Sequence, residues 1–413
     1  MPSAKAADLG GDCCADLEER VAELEATTAR KGNRRVSLTI SGQVNTAVMG
    51  WDQGLDNAIA IVDNGVSRSG FNFDGSAKIN PNLTAGFQMV IGLATGARSH
   101  QTTQFDDDGG ALTDGTLGVE LANWYLRHDT LGEIRLGRIN TASSGTTVVD
   151  LGGAGVIANA HAQLWLGSFF ITNGAASGTA RWSTLMGGNT VGISGLSRQN
   201  AISYTTPTLA GFSAQVAWGE QDAVNSGMWD AALRYAGEFS GFRVAAAVSY
   251  GVNAGSTSDF QDSPIANGST EAKKWQGSAS VLHVASGLYL TGAYVNQSFD
   301  VAVSDTTYWY LQGGISQNWT GMGKTVLYGE YGRFENGGVG VNPGAGGVTI
   351  DGSEGTFWGL GVVPHIEAGA MELYLGYRRD DASINTASGT FDGLPDGDMD
   401  ALSVITAGAR IRF

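Results

Sequence analysis

Residues 228–251, MWDAALRYAGEFSGFRVAAAVSYG, contain two runs of alternating side chains joined by a short turn at 239–241. In the second run every other side chain is apolar: Phe242, Val244, Ala246, Val248 and Tyr250. The side chains between them are small or charged: Arg243, Ala245, Ala247 and Ser249. A period of two residues is typical of a β-strand with two unlike faces. The stretch therefore predicts a β-hairpin.

The same alternation recurs on both sides of this hairpin. The segments with this pattern are 36–48, 68–80, 83–95, 119–129, 132–139, 199–205, 211–219, 228–236, 241–251, 273–284, 287–297, 307–319, 323–333, 355–366, 370–380 and 401–413. Tight turns follow every second segment, whereas long loops rich in Gly, Asp, Asn and Ser follow the others, such as 96–118 and 252–272. An even number of strands with loop lengths divided in this way is typical of outer-membrane barrels. The sequence predicts an all-β, 16-stranded antiparallel transmembrane β-barrel over 36–413.

The composition excludes several classes of protein. The 24 Lys and Arg residues against 40 Asp and Glu residues give a net charge of −16, which argues against nucleic-acid binding. No apolar run is long enough for a transmembrane helix. Because the chain contains no Gly-x-Ser-x-Gly elbow, P-loop or clustered Ser, His and Asp, we do not expect an enzyme.

The first 35 residues have a different character. Residues 1–11 are read as a leader followed by the mature N-terminus, because Ala4-Lys5-Ala6 has the A-x-A pattern of a signal peptidase site. Residues 12–32 show a heptad seam, formed by Cys14, Leu17, Val21, Leu24 and Thr28. A lone helix with so few heptads is unstable, and we therefore expect this segment to self-associate as a short periplasmic coiled coil. Packing of this helix on its own domain is the alternative.

Several motifs together resemble a known family. They are Gly137-Arg138, the stretch RQNAISY at 198–204, Pro207, GFSAQ at 211–215 and ARIRF at 409–413. They resemble the trimeric general porins of Gram-negative outer membranes, specifically those of alphaproteobacteria, and the N-terminal heptads resemble porins with a periplasmic coiled coil. The resemblance implies a homotrimer in the cell outer membrane, with an inward-folded loop 3 and a C-terminal Phe413 read as an assembly signal. It also implies short turns on the periplasmic side and long loops outside the cell.

Candidate pore residues come from this resemblance and from strand parity. The longest connection, 140–198, occupies the place of the constriction loop and carries Asp150, His161, Arg181 and Arg198 as its titratable groups. Its prominent apolar residues depart from the acidic loop that is usual in the family. An Arg facing lipid costs roughly 2–4 kcal/mol at the bilayer midplane, so parity predicts that the wall arginines face the lumen. These are Arg127, Arg135, Arg234, Arg243, Arg378, Arg410 and Arg412. Charged rings of this kind select ions; the alternative for each is an ion pair with a neighbouring acid such as Glu330 or Glu372.

The long loops are acidic and suggest two kinds of partner. Asp106, Asp107 and Asp108 are candidate ligands for Ca²⁺ or Mg²⁺ bridging to lipopolysaccharide phosphates, because hard cations take oxygen ligands. A solvated acidic run is the alternative, and no other cofactor is expected. The expected partners are therefore outer-membrane lipid, lipopolysaccharide and further copies of the chain. Contact with peptidoglycan through an N-terminus at Ala7-Asp8 is an additional candidate.

The function that fits these features best is a water-filled channel for passive diffusion of ions and small hydrophilic solutes. One alternative is a structural protein that tethers the outer membrane to the cell wall through its N-terminus. Another is a substrate-specific channel, for example for a sugar, in which aromatic residues of the longest connection bind the solute. The sequence leaves open the permeating solutes, the exclusion limit, the sign of ion selectivity and any gating.

Overall fold

A computed structural model describes residues 36–54, 57–93, 98–104, 117–174, 176–186, 198–220, 227–254, 271–300, 304–339, 350–386, 390–391 and 394–413. The predicted segments 1–11 and 12–32 lie outside the described residues. So do the coiled-coil seam residues Cys14, Leu17, Val21, Leu24 and Thr28, and the candidate cation ligands Asp106, Asp107 and Asp108.

Sixteen antiparallel strands form one closed sheet, which confirms the predicted 16-stranded barrel. They are β1 Ser37–Asp52, β2 in two segments (Asn57–Asp63 and Gly70–Asn80), β3 Leu83–Leu93, β4 Leu117–His128, β5 Gly132–Asn140, β6 Arg198–Thr205, β7 Phe212–Glu220, β8 Gly227–Phe239, β9 Phe242–Ala254, β10 Glu271–His283, β11 Leu288–Phe299, β12 Thr306–Gln317, β13 Thr325–Glu335, β14 Ile350–Ile366, β15 Met371–Thr386 and β16 Leu402–Arg412. Each strand pairs with its neighbours in the chain, and β1 pairs with both β2 and β16, so the barrel has no free edge.

The connections contain a few short elements. They are the hairpin strands Phe170–Thr172 and Ala176–Arg181, the helix Trp182–Leu185, the 3₁₀ turns Ala162–Leu164 and Glu367–Gly369, and the short strands Thr390–Phe391, Leu394–Pro395 and Gly397–Asp398. No helix in the described part of the chain is long and apolar enough to cross a membrane.

The hairpin that the sequence analysis started from shows why the turns are tight. Phe239 pairs with Phe242, so only Ser240 and Gly241 connect β8 to β9. Both have positive φ, 49° and 80°, as a two-residue turn matched to the twist of the strands requires. Gly241 adopts this backbone at little steric cost.

The two faces of the wall differ as the alternation predicts. One face exposes large apolar side chains along every strand, for example Leu290, Trp218, Trp358 and Ile405. The residues between them are buried or half-buried and include most of the polar wall residues, such as Gln276 and Thr291. Apolar side chains exposed in a continuous band match hydrocarbon, so the other face lies toward the barrel interior.

Strand β2 leaves the wall in its middle. Its two segments pair with different parts of β1, and the intervening residues 64–69 turn toward the interior face. There Asn45 and Gln43 of β1 each donate a hydrogen bond to the carbonyl of Ser67, over 2.6 and 3.0 Å. Arg68 lies in this break and reaches the interior, where its guanidinium pairs with the Glu120 carboxylate.

Candidate functional site

Residues 141–186, here called the long connection, follow β5 in the chain and contact many strands. Their hydrogen bonds reach β8, β10, β12 and β15, and the ring of Phe169 lies 5.2 Å from Trp51 of β1 in an edge-on contact. All of these wall residues belong to the interior face. The site is therefore built from the long connection and from the interior wall around it.

The long connection begins at a buried acid on β8. The Asp230 carboxylate accepts hydrogen bonds from the backbone amides of Ala142 and Ser143, over 3.0 and 2.7 Å, and one from the Ser143 hydroxyl over 2.5 Å. Four residues further along β8, Arg234 donates to the carbonyls of Ala142 and Ser144, over 2.6 and 3.0 Å. Amides meet a carboxylate and carbonyls meet a guanidinium, so the backbone of this bend is held from both sides.

The next part of the connection follows small polar side chains of β10. Gln276 donates to the Ser143 carbonyl over 2.8 Å, and the Ser278 hydroxyl donates to the Thr146 carbonyl over 2.8 Å. The amide of Leu151 donates to Ser280 over 3.1 Å. The backbone here forms no regular secondary structure, and these buried side chains supply the hydrogen bonds that water would otherwise provide.

Asp150 lies in this part of the connection but turns toward its own backbone. Its carboxylate accepts hydrogen bonds from the amides of Gly152, Gly153 and Gly155, over 2.7, 3.0 and 3.0 Å. The predicted pore acid is thus used to close a local turn.

The far part of the connection is packed like a protein core. Trp165, Phe169, Trp182 and other apolar side chains are buried against large wall residues. These wall residues include Tyr308, Tyr328, Phe334, Phe357 and Tyr374. Arg378 of β15 lies over the ring of Phe357, 3.6 Å from its centroid, and donates to the Ala162 carbonyl over 2.9 Å. Arg378 also pairs with Asp380 over 2.9 Å, so this buried guanidinium fixes the connection to the wall.

Elsewhere on the interior wall the arginines gather around single glutamates. Three sets have two arginines on one carboxylate: Arg68–Glu120–Arg198, Arg127–Glu133–Arg135 and Arg410–Glu372–Arg412. In the first, Arg198 lies 2.7 Å from the Glu120 carboxylate, and in the second the two arginines lie 2.6 and 2.8 Å from Glu133. We call these three sets the arginine triads.

A β-bulge places Glu120 in the first triad. Val90 pairs with Leu121 and Ile91 with Val119, so Glu120 is an extra residue in β4. A bulge of this kind can turn a side chain to the other face. Gly92 on β3 leaves the necessary space, because a Cβ there would overlap the Glu120 carboxylate and approach Arg68.

The structure places the remaining predicted arginines as follows. Arg243 pairs with Glu238 over 2.8 Å at an exposed position beside the β8–β9 turn. Arg181 lies over the ring of Phe170, 4.7 Å from its centroid, and donates to the Ser168 carbonyl over 3.2 Å. Most of the wall arginines therefore form ion pairs with neighbouring acids. This is the alternative that the sequence analysis left open. A role of these residues in the pore stays a prediction.

Sequence reasoning missed four residues of the site: Arg68, Glu120, Glu133 and Asp230. Glu133 and Asp230 could have been found from parity, since each lies on the same face as Arg135 or Arg234 of its own strand. Arg68 could also have been found from parity, because in the predicted segment 68–80 it lies on the same face as Asn72, Asp74 and Lys78. Glu120 carries no such signal, because the bulge in β4 changes the alternation.

Two histidines, His161 buried and His100 half-buried, add to the electrostatics of the interior. The pKa of the His161 imidazole is lowered to about 3, first by burial and then by electrostatic interaction with His100, Lys274 and Arg198. The pKa of His100 is lowered to about 4, again by burial first and then by Arg98 and Arg68. Both rings are therefore neutral at neutral pH. Among the described residues, no group of three or more His, Cys, Asp or Glu side chains is arranged to hold a metal ion.

Phe413 closes the barrel seam on the lipid-facing side. Its amide and carbonyl exchange hydrogen bonds with Gly42 over 3.1 and 2.9 Å, and its ring lies 5.8 Å from that of Phe71. A side chain at Gly42 would overlap the Phe413 ring. The role of Phe413 as an assembly signal stays a prediction.

Comparisons with known proteins agree with this architecture. A family model described as Gram-negative porin matches residues 21–385. The anion-selective porin from Comamonas acidovorans is 16% identical and superposes with a TM-score of 0.58, over 92% of this chain and 100% of that chain. OmpT, an outer membrane protein of Vibrio cholerae solved in a trimer form, is 15% identical with a TM-score of 0.54, over 92% and 99%. Salmonella typhi OmpF, solved in complex with daunomycin, is 13% identical with a TM-score of 0.52, over 92% and 98%. The comparison with curated proteins found no match.

Proposed function

The chain belongs to the Gram-negative porin family, and from this membership we propose how its interior controls diffusion. The protein is an outer-membrane β-barrel that forms a channel for passive diffusion, and the family indicates a channel rather than an enzyme. A barrel of sixteen strands is too wide for wall side chains to fill, so the width of the water path depends on what else occupies the interior.

We propose that the long connection folds into the barrel and forms the constriction. The observation that carries this proposal is the set of hydrogen bonds from one segment to interior residues of β8, β10, β12 and β15. These strands are widely spaced around a closed wall, so a single segment such as the long connection can contact all of them only by crossing the interior. Water and solutes then pass between the long connection and the wall of β2 to β6, where the side chains of Arg68, Arg135 and Arg198 stay partly exposed.

We further propose that the protein is a homotrimer in contact with lipid and lipopolysaccharide. The trimer form of the similar OmpT supports this, as do the heptads predicted at 12–32. The N-terminus and the short turns then lie in the periplasm and the long loops outside the cell. We propose that the channel needs no resident cofactor, and that loop-bound Ca²⁺ or Mg²⁺ at Asp106, Asp107 and Asp108 and contact of the N-terminus with peptidoglycan are accessory features.

Single-channel recording tests the function directly. Purified protein in a planar bilayer is expected to give large ohmic steps that close in threes, one step for each subunit. Silence from protein whose folded state is verified by heat-dependent electrophoretic mobility would contradict the channel. Steps that close singly would contradict the trimer and leave the channel intact.

A liposome-swelling series tests the constriction. Proteoliposomes are expected to swell quickly with small sugars and progressively more slowly with larger ones, because the long connection restricts the path. Equal rates for small and large sugars would contradict a constriction formed by this segment.

A further inference from the structure

The charges that line the interior are not balanced. In each arginine triad two guanidinium groups share one carboxylate, so each triad leaves one positive charge. The first lies between β2, β4 and β6, the second between β4 and β5, and the third between β15 and β16. The excess of positive charge therefore recurs at separate positions on the interior wall.

Within the triads the positive groups face the water. The Glu120 side chain is 12% exposed, whereas its partners Arg68 and Arg198 are 24% and 35% exposed. Glu133 is 14% exposed, against 21% for Arg135 and 55% for Arg127. A solute in the channel therefore meets guanidinium groups, with the carboxylates behind them.

Neighbouring groups reinforce the first triad. Arg98 lies within electrostatic reach of Arg68 and Arg198, and its Nε is buried without a hydrogen-bond partner. Asp63 lies within electrostatic reach of Arg98 and Arg68, and its carboxylate also accepts from the amide of Ser69 over 3.3 and 3.2 Å. The three arginines Arg68, Arg98 and Arg198 thus exceed the two acids Glu120 and Asp63 by one charge. A guanidinium with an unused donor beside two others is suited to an oxyanion, whose lone pairs match the planar fork of donors.

The opposite arrangement is found on the outer face. Arg333 lies between Glu335 and Glu354, 2.8 Å from each, so two carboxylates share one guanidinium there. Asp150 of the long connection accepts hydrogen bonds from its own backbone amides and forms no ion pair with the arginine triads. The protein thus has a net charge of −16 but an interior wall with excess positive charge.

We infer that the channel is selective for small anions, and that the Arg68–Glu120–Arg198 triad with Arg98 is the place where a permeating oxyanion or halide is held. This inference rests on the proposed diffusion function and names its solute class. Positive charges in a narrow water path between low-dielectric walls raise the local concentration of anions and lower that of cations. Charges on the external loops have little influence on the electrostatic potential at the arginine triads, because salt screens each charge within about 8 Å.

The test is the reversal potential of the full-length protein in a planar bilayer under a KCl gradient. Wild type is expected to pass chloride in preference to potassium. Arg198→Gln and Arg127→Gln each neutralise one triad and are each expected to lower the chloride-to-potassium permeability ratio roughly threefold, from the screened potential of one charge. Glu133→Gln is expected to raise the ratio by a similar factor. Arg379→Gln is the matched control, because it removes the same charge from an exposed pair with Asp381 on the outer face.

Each outcome has a distinct meaning. Absence of current from folded protein contradicts the channel itself, whereas current with a preference for potassium, or with none, contradicts only the anion selectivity. Anion preference that no triad variant alters contradicts the assignment to the triads. Folding of each variant is verified by heat-dependent electrophoretic mobility. Because Glu133→Gln and Arg127→Gln should shift the ratio in opposite directions, a general loss of structure cannot produce the expected pair of results.

Discussion

The two sides of the interior wall use the same alternation of side chains for different purposes. From β11 to β15 the interior positions carry large residues, such as Tyr308, Tyr328 and Phe357, and these are buried under the long connection. From β3 to β6 the interior positions carry Gln, Asn, Arg and Glu, and several of these stay partly exposed. One side is therefore a core and the other faces water.

This difference shows how a wide barrel can be made narrow. Wall side chains cannot fill the interior of sixteen strands, so a segment of chain has to supply the missing volume. The segment is held where the wall offers large apolar surfaces and buried hydrogen-bond partners. In the function that we propose, the charged side is left as the path for water, and its charges sort the solutes.

The largest expected effect comes from removing the acid that holds the start of the long connection. Asp230→Ala leaves two backbone amides and the Ser143 hydroxyl without their acceptor. We expect a loss of about 5 kcal/mol in the free energy of unfolding, since each bond to a charged group contributes about 1.5–3 kcal/mol. Single-channel currents should also become larger and noisier, because the segment is released from the wall.

Two variants control this measurement. Asp230→Asn keeps one acceptor oxygen and should lose less than half as much stability. Asp381→Ala removes an exposed carboxylate of the outer face and should cost less than about 1 kcal/mol, as exposed ion pairs do. Unchanged current noise in Asp230→Ala would show that the start of the connection is held by other contacts.

Two consecutive residues of β14 allow a sharper comparison of the faces. Phe357 is fully buried under the long connection, whereas Trp358 is exposed on the lipid side. Phe357→Ala should cost about 3–4 kcal/mol through the cavity it leaves, and it removes the ring beneath Arg378. Trp358→Ala should change stability less and conductance hardly at all. Equal conductance changes in the two variants, measured in planar bilayers, would contradict the assignment of the faces.

The sequence alone was sufficient for the wall and insufficient for its interior. Alternation and loop lengths predicted all sixteen strands, because a strand between lipid and water must alternate over its whole length. Parity grouped Arg127 with Arg135 and Arg410 with Arg412 on one face, and in the structure each pair shares one carboxylate. These features depend on local periodicity, which the order of residues records directly.

The partners of those arginines required the structure. Glu120 reaches the interior through a bulge that shifts the alternation by one residue, whereas Arg68 lies in the break of β2 and keeps the parity of the strand. Asp150 was predicted as a pore residue because of its charge, and this role stays a prediction; the structure adds that its carboxylate accepts hydrogen bonds from the amides of Gly152, Gly153 and Gly155. Which acid meets which base is decided by register between strands distant in sequence.

The packed side should also respond to acid. The pKa of His161 is lowered to about 3 in the folded protein, against about 6.5 unfolded, so between these values the unfolded chain binds more protons. The free energy of unfolding should therefore fall as the pH falls below 6.5, by roughly 3 kcal/mol between pH 6.5 and pH 4 from this residue. Thermal unfolding of His161→Gln across this range should show a weaker pH dependence than wild type.

The smallest expected effect is a difference in the rate of thiol modification between a cysteine on the charged side of the interior and one on the packed side. Gln88 on β3 accepts from Arg135 on the charged side, whereas Gln312 on β12 is buried and donates to the Ala158 carbonyl. Each is replaced by Cys in a background where Cys13 and Cys14 are Ser, and the channels are treated with a charged, water-soluble thiol reagent. Because only an accessible thiolate reacts, Gln312→Cys should be modified at least roughly tenfold more slowly than Gln88→Cys. Modification of Gln88→Cys should also reduce the current, since the added group occupies the water path. Equal rates at the two positions would mean that water reaches both sides of the long connection, and the division of the interior into a core and a path would then be wrong.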